Sequence, residues 1–280
     1  MSYKRILTIQ DISCVGQCSM TVALPILSAC GLETAILPSA VLSTHTGGFT
    51  GFTVRDLAGD MPAIERHWVK EGLDFHAIYT GYLGSVDQID YVKSIAAHCM
   101  QEGGQLIVDP AMADHGKLYY GFDQAYVDAM KRLVSGADVT IPNITEAAML
   151  TGLPYRETYD EAYIRSLVDG LLALGAKRVV LTGVSYEESV TGIVVCDESG
   201  LAYYPHKRIP ESFHGTGDVY ASAMVGAIER GHSLLDAAKI AADFTVLAIE
   251  KTLGDESHRY GVKFELALPS LIRALGDNEA

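Results

Sequence analysis

Residues 5–37, RILTIQDISCVGQCSMTVALPILSACGLETAIL, decide the fold. Residues 5–9 form an apolar run of strand length, and residues 11–19 are polar and small, as in a turn. The apolar positions between residues 22 and 27 then predict a helix that stops at a glycine. Residues 34–37 form the next apolar run. The stretch is therefore a strand, a turn, a helix and a second strand, which is the repeating unit of a parallel sheet.

The same alternation continues through the rest of the chain. Further strands are predicted at residues 77–79, 106–108, 139–141 and 178–181, and a hairpin at 193–195 and 201–204. Helices are predicted near 85–101, 122–135, 143–151, 160–174, 217–230, 233–251 and 263–275. Such an order is typical of an α/β protein whose central sheet is mostly parallel and has helices on both faces. No internal repeat or linker interrupts it, so we expect a single domain over residues 1–280.

Composition excludes several classes of function. The chain has 35 acidic and 21 basic side chains and a formal charge of −14, so its field repels nucleic acid. No apolar run approaches the ~18 residues of a membrane-spanning helix, and the N-terminal apolar segment is too brief for a secretory signal. The five cysteines form no Cys-x-x-Cys pair, which disfavours structural zinc. We expect a soluble cytoplasmic protein without membrane or nucleic-acid partners.

Polar residues and glycines follow the predicted strands at one edge of the sheet. They lie at residues 11–13, 43–47, 80–84, 109–110, 142–143 and 182–183. Ligands of open α/β sheets bind beyond the carboxyl ends of the strands, so these segments are predicted to line one cleft.

The segment His214-Gly215-Thr216-Gly217-Asp218 precedes a helix rich in small residues. Free amide groups at such a helix start can bind an anion, and Asp218 could accept the proton of an attacking hydroxyl. Phosphoryl transfer needs both features together. Taken alone, however, the segment could equally be a turn followed by a helix cap.

Two further segments carry oxygen ligands. Asp109 and Asp114 follow a predicted buried strand, and Asn143 and Glu146 stand three residues apart at a predicted helix start. Together they could hold Mg²⁺ through water. The alternatives are a solvated loop for the first pair and a capping box for the second.

Taken together, these motifs resemble the pyridoxal/pyridoxamine kinase branch of the ribokinase-like superfamily, from the first strand to about residue 252. The matching segments are residues 42–47, 81–85, 108–112, 142–146 and 215–218. The resemblance implies a three-layer ribokinase-like sandwich. It also implies an enzyme that uses ATP and Mg²⁺, with or without a monovalent cation, to phosphorylate the 5′-hydroxymethyl group of a vitamin B6 vitamer. A homodimer is the family expectation.

Site residues follow from the resemblance position by position. Asp218 is the base, and the amides of Gly215, Thr216 and Gly217 form the anion hole. The nucleotide and metal set comprises Asp109, Asp114, Asn143, Glu146, Thr182 and Gly183, with Asp109 and Glu146 nearest the metal. Asp11 or Ser13, Thr46 and Tyr82 fall where such kinases contact the acceptor ring, and Gly47 lies in the same matching segment. Two residues are interpreted apart from the resemblance: Lys117 could reach the phosphates from a loop, and His45 could either bond a substrate hydroxyl or shape its own loop.

Other interpretations remain open at this stage. Hydroxymethylpyrimidine (phosphate) kinases share the chemistry, but they commonly carry Cys where this chain has Asp218. Sugar kinases such as ribokinase typically carry Ala where this chain has Thr216. A non-catalytic B6-binding protein with the same fold is the third alternative. The chain also departs from the B6 kinase pattern, because many of those enzymes carry Ser at the position of Asp11.

Overall fold

The computed structural model describes residues 3–258 and 260–276, in which strands and helices alternate as expected. The strands are β1 (Arg5–Ser13), β2 (Glu33–Leu42), β3 (Val54–Asp56), β4 (Phe75–Thr80), β5 (Met100–Val108), β6 (Ala113–Asp114), β7 (Lys117–Leu118), β8 (Val139–Thr140), β9 (Val179–Glu187), β10 (Val190–Asp197) and β11 (Gly200–Lys207). The helices are α1 (Met20–Ala29), α2 (Met61–Glu71), α3 (Val86–Cys99), α4 (Gln124–Val134), α5 (Ile144–Thr151), α6 (Glu161–Leu174), α7 (Thr216–Glu229), α8 (Leu234–Glu250) and α9 (Leu268–Ala274).

Nine of these strands form one sheet in the order β11-β10-β9-β8-β5-β4-β1-β2-β3. The six strands from β9 to β2 in that order are parallel to one another, whereas β3, β10 and β11 pair antiparallel at the two edges. The hairpin β10–β11 matches the sequence prediction, since Asp197 pairs with Gly200 across a two-residue loop. The mostly parallel sheet is confirmed.

Two hydrophobic cores lie on opposite faces of this sheet. One is built with residues of α2 to α6, and the other with residues of α1, α7, α8 and α9. Alternate residues of β1 divide between them, since Leu7 and Ile9 belong to the first core and Ile6 to the second. The chain therefore has the predicted three-layer ribokinase-like architecture. Within the described residues, no helix is long and apolar enough to cross a membrane.

Several boundaries differ from the sequence prediction. Asp11 and Ser13 lie inside β1 and not in the following turn, because parallel pairing with β2 continues to Ser13 and Leu42. Likewise, Thr182 and Gly183 lie inside β9, which the antiparallel partner β10 extends.

Two helical regions also differ. Helix α2 was not predicted, although Ile64 and Trp68 lie one turn apart and pack against the first core. The predicted helix over 263–275 is divided into a short 3₁₀ turn at Phe264–Leu266 and α9. Pro269 in the first turn of α9 fits a new helix start and lacks the amide that an uninterrupted helix would use.

Candidate active site

The glycine that precedes α7 has a conformation that other residues rarely adopt. Gly215 caps the helix with φ of 76°, and a Cβ atom there would overlap the carbonyl oxygen of Gln17. The next glycine is different, because a Cβ on Gly217 would meet nothing within 4 Å. Gly215 thus lets the chain turn against the loop after β1, and Gly217 leaves the first amides of α7 open to an approaching anion.

Asp218 is fixed in the first turn of α7. Its Oδ2 accepts a hydrogen bond of 2.9 Å from the amide of Ser19, which itself has a positive φ of 50°. Burial raises the pKa of Asp218 to about 6, and the nearby charge of Asp11 acts in the same direction. A carboxyl group with such a pKa is deprotonated at neutral pH and more basic than a free aspartate, as a general base requires.

Glu146 supports the loop that follows β5. Its Oε1 accepts from the amide of Met112 at 3.1 Å, and its Oε2 accepts from the amide of Asn143 at 2.8 Å. Asn143 in turn accepts from the amide of Glu146 at 2.9 Å, so the capping box expected from the spacing is present. The Asn143 side-chain amide also donates to the carbonyl of Ala113 at 2.9 Å. Both residues therefore have a structural role in joining α5 to the Asp109 loop.

Asp109 and Glu146 are buried carboxyl groups, and the charge of Glu146 raises the pKa of Asp109. Burial, followed by Glu146 and Asp218, holds the pKa of Asp109 well above its usual range. Burial likewise raises the pKa of Glu146 to about 8, against the backbone amides that favour its charged form.

The carboxylate pair of Asp109 and Glu146 offers oxygen ligands to a metal ion. Within the described parts of the chain, no three or more His, Cys, Asp or Glu side chains are grouped so that they could hold an ion by themselves. The two carboxyl groups nonetheless suit Mg²⁺, which keeps several waters and needs few direct protein ligands. Hard oxygen donors whose charges repel one another are stabilised by such a cation.

The hairpin β6–β7 carries Asp114 and Lys117, and both side chains are exposed. Asp114 accepts from the amide of His115 at 2.8 Å, and the amide of Gly116 donates to Thr145 Oγ1 at 3.0 Å. The hairpin is thereby attached to the start of α5. Contact between Lys117 and a phosphate stays a prediction.

Thr182 lies beside the same helix start. Its amide and hydroxyl donate to the carbonyl of Pro142 at 2.9 and 3.3 Å, and it forms a parallel bridge with Asn143. Gly183 is exposed, with φ of 73° and open space around its Cβ position. Asn143, which follows β8, and Thr182, which lies in β9, are both predicted to contact the nucleotide and are thus adjacent.

Sequence reasoning missed Tyr119, which directly follows the hairpin. Burial is the main cause that raises the pKa of its hydroxyl, and Glu146, Asp114, Asp109 and Asp218 all add to the shift. The side chain as a whole is 41% exposed, so Tyr119 lies at the edge of the site. Two consecutive tyrosines after a loop lysine were the available signal, but the adjacent Tyr120 is fully exposed and the pattern does not distinguish them.

Asp11 and Ser13 are buried near the carboxyl end of β1. Ser13 Oγ donates to Asp11 Oδ2 at 3.0 Å, and burial is the main cause that raises the pKa of Asp11. Asp11 is also near enough to Asp218 and Tyr82 to raise the pKa of both. The predicted acceptor residues on β1 and after β4 are therefore brought together with the predicted base.

His45 is buried and helps to shape its own loop. Its Nδ1 accepts from the amide of Gly47 at 2.9 Å, and its ring centroid lies 5.3 Å from that of His214. The ring of His214 occupies the space that a Cβ on Gly47 would need. Thr46, between His45 and Gly47 in the chain, is exposed. The structural role weighed for His45 is confirmed, and the loop lies against the residue before Gly215.

Tyr82 is partly buried, and its ring stacks on Phe122 with a centroid separation of 5.5 Å. Burial, followed by Asp11, raises the pKa of its hydroxyl. The site therefore contains an aromatic ring near the carboxyl group of Asp11.

Comparison with known proteins identifies the family of this chain. The sequence profile named phosphomethylpyrimidine kinase matches residues 27–262. A Bacteroides thetaiotaomicron protein assigned as a phosphomethylpyrimidine kinase, solved with pyridoxal, is 34% identical, with a TM-score of 0.92 over 96% of each chain. Pyridoxal kinase from Lactobacillus plantarum is 35% identical, with a TM-score of 0.90 over 97% of this chain and 98% of that one.

A hydroxymethylpyrimidine/phosphomethylpyrimidine kinase from Bacillus subtilis is 29% identical over 226 residues, which are 79% of this chain and 78% of the relative. Kinases of both substrate classes are therefore similar to this chain.

Proposed function

The chain belongs to the phosphomethylpyrimidine kinase family and is a phosphotransferase, and we propose that it phosphorylates the 5′-hydroxymethyl group of pyridoxal, pyridoxamine or pyridoxine with ATP. The observation that carries the proposal is the position of Asp218. It lies in the first turn of α7, beside open amides and within reach of the acceptor-side residue Asp11.

Asp218 is proposed to take the proton from the acceptor hydroxyl as that oxygen attacks the γ-phosphorus of ATP. The bond between the γ-phosphorus and its bridging oxygen breaks, and ADP leaves with that oxygen. The amides at Gly215, Thr216 and Gly217 would receive the negative charge of the transferred group. The Ser19 amide keeps Asp218 oriented throughout, because its hydrogen bond does not involve either substrate.

A flat heteroaromatic acceptor suits the residues around this base. The ring of Tyr82 offers an aromatic surface, and Asp11 and Ser13 offer a hydrogen-bonded polar pair. His45 and Gly47 would close the pocket from the loop after β2. Aromatic stacking orients a planar ring so that only one substituent faces Asp218.

ATP would lie along the start of α5, against Asn143, Thr182 and Gly183, with Asp114 and Lys117 of the β6–β7 hairpin over its phosphates. Mg²⁺, when bound, would neutralise charge on the β- and γ-phosphates. Asp109 and Glu146 would hold its water ligands, since their buried carboxyl groups need a compensating cation. Glu146 keeps its bonds to the amides of Met112 and Asn143 in this role.

Hydroxymethylpyrimidine is the second candidate acceptor, and the family profile and the Bacillus subtilis relative favour it. The two substrates share a planar nitrogen ring and a hydroxymethyl group. Asp218 favours the vitamin B6 vitamer, because kinases of the pyrimidine commonly carry Cys at that position.

The test offers pyridoxal, pyridoxamine, pyridoxine and hydroxymethylpyrimidine in parallel with ATP and Mg²⁺ and measures ADP release. Asp218→Asn is the blank. We expect the highest kcat/KM with a B6 vitamer. A higher kcat/KM with hydroxymethylpyrimidine would reverse the assignment, and ADP release with none of the four would reject both. Homodimer formation, which the resemblance predicts, is checked by sedimentation of the same preparation.

A further inference from the structure

Three aromatic rings form a continuous stack beside the candidate acceptor pocket. Tyr82 stacks on Phe122 at 5.5 Å with 27° between the ring planes, and Phe122 stacks on Tyr126 at 3.8 Å with 10° between them. Phe122 is therefore the middle ring, and it is partly buried.

The stack is anchored at its far end. Tyr126 is buried in the first turn of α4, and its hydroxyl donates to the carbonyl of Leu83 at 2.6 Å. Asp123 caps the same helix by accepting from the amide of Tyr126 at 3.1 Å. Leu83 directly follows Tyr82, so the hydrogen bond ties the anchor to the segment that carries the first ring. The position of Phe122 is thus fixed by a helix start, and Phe122 in turn limits the tilt of Tyr82.

Phe122 also ends the loop that continues from the β6–β7 hairpin. The amide of Tyr119 donates to the carbonyl of Met112 at 2.9 Å, and the amide of Phe122 donates to the carbonyl of Tyr119 at 3.2 Å. The loop thus starts at the hairpin that carries Asp114 and Lys117 and ends at the ring that lies on Tyr82. The loop physically joins the candidate nucleotide subsite to the candidate acceptor subsite.

We propose that Phe122 is a positioning residue that holds the ring of Tyr82 in the plane required to stack on a flat acceptor. This inference rests on the proposed function, in which Tyr82 contacts that acceptor. A neighbouring aromatic pair restricts each ring to offset or edge geometries, so removing one partner releases the other. Phe122 acts only through Tyr82 and touches no reacting atom.

The test is a double-mutant cycle of Phe122→Leu and Tyr82→Leu, measured as kcat and as KM for the best acceptor. Leucine keeps an apolar side chain but removes the flat ring. From the usual strength of an aromatic pair, we expect Phe122→Leu to raise the acceptor KM about 2- to 12-fold, with a smaller change in kcat. In the Tyr82→Leu background the same change should have little further effect. Phe122→Tyr, which keeps the ring, should restore the wild-type KM.

Tyr120→Leu is the matched control, because Tyr120 is in the same loop and fully exposed. It should leave both constants unchanged. An unchanged acceptor KM in Phe122→Leu would overturn the inference, and so would an equal effect of that change with and without Tyr82. Should the leucine variant lose its thermal transition, Phe122→Met gives the same readout.

A failure of the proposed function would be visible separately, in the activity of the wild-type enzyme in the same assay. If the wild-type enzyme transfers no phosphoryl group to a pyridine or pyrimidine, the stack does not serve a flat acceptor, and both the proposed function and the inference are wrong. If the wild-type enzyme is active and only the cycle is additive, Phe122 alone loses its role.

Discussion

Replacing Glu146 with Gln separates its role in the capping box from a role at a cation. The side chain is buried, and its pKa is raised from 4.5 to about 8, chiefly by burial. The folded protein therefore binds this proton more tightly than the unfolded chain does. The resulting stabilisation is fully present below about pH 4.5 and is lost as the pH rises through about 8. Gln has the same shape and does not titrate, but its single side-chain oxygen can accept only one of the two amide hydrogen bonds that Glu146 accepts, so it also adds a loss of stability that does not change with pH.

The expected signal is a difference that depends on pH. Without Mg²⁺, the free energy of unfolding of the wild type should fall relative to Glu146→Gln as the pH is raised from 5 to 8. One proton linked to folding gives a slope of at most about 1.4 kcal/mol for each pH unit. Urea unfolding at four pH values, in the presence of a chelator, measures it. Adding Mg²⁺ with an unreactive ATP analogue should reduce the slope in the wild type only.

Kinase activity gives the second readout. Glu146→Gln should have lower kcat at low Mg²⁺ and partial recovery at high Mg²⁺. The matched control is Asp160→Asn, which changes the cap of α6, where Asp160 accepts from the amide of Tyr163 at 2.9 Å. Asn is as good a cap as Asp, so this variant should match the wild type in both assays. A pH-independent stability difference would refute the buried, protonated Glu146, and full activity at low Mg²⁺ would leave only its capping role.

Three further predictions concern the other parts of the site. Asp218→Asn should fold normally and lose at least ~100-fold in kcat. In the wild type, kcat/KM should rise with pH through about 6 as Asp218 is deprotonated. Near-full turnover in the variant would leave Asp218 with only a structural role in the helix. Gly215→Ala should lower the free energy of unfolding by more than the ~1–2 kcal/mol that a left-handed backbone costs, because its Cβ also meets Gln17. Gly217→Ala should keep the wild-type melting temperature and raise the KM for ATP, and equal stability of the two variants would contradict the geometry. Tyr119→Phe should raise the KM for ATP without altering binding of the acceptor, as measured by calorimetry, and unchanged kinetics would exclude the hydroxyl from the nucleotide subsite.

Much of the fold could be predicted because it depends on local pattern. The alternation of apolar runs with glycine and polar turns places the parallel strands, and the turn at residues 197–200 places the edge hairpin. The start of α7 was also predictable, since a glycine suited to a left-handed backbone precedes a run of small and apolar residues. Pairing with neighbouring strands lengthened β1 and β9 beyond their apolar runs, and local pattern does not contain that information.

The candidate site was predictable in part, for the same reason. Residues near the strand ends, such as Asp109 and Asn143, were found because the ends of parallel strands meet at one edge. Tyr119 and Phe122 were missed, because a loop of mixed composition does not reveal which of its aromatic rings lie near the site. For Glu146, the spacing predicted the capping box but not the second hydrogen bond, which comes from the amide of Met112 in the loop after the neighbouring strand.

The electrostatics of the site suggest why its parts must come together before reaction. The charge of Asp11 raises the pKa of Asp218, and the charge of Glu146 raises that of Asp109, in a protein whose net charge is already −14. Without a cation, part of this group is most stable when protonated, and a protonated Asp218 is no base. A cation accompanying the nucleotide would lower these pKa values and thus make Asp218 a more complete base at the moment when the phosphoryl group is in place. The acceptor alone brings no such charge. Raising the Mg²⁺ concentration at a fixed, saturating concentration of nucleotide should therefore shift the acid limb of the pH–rate profile to lower pH, and a limb that does not move would contradict this coupling.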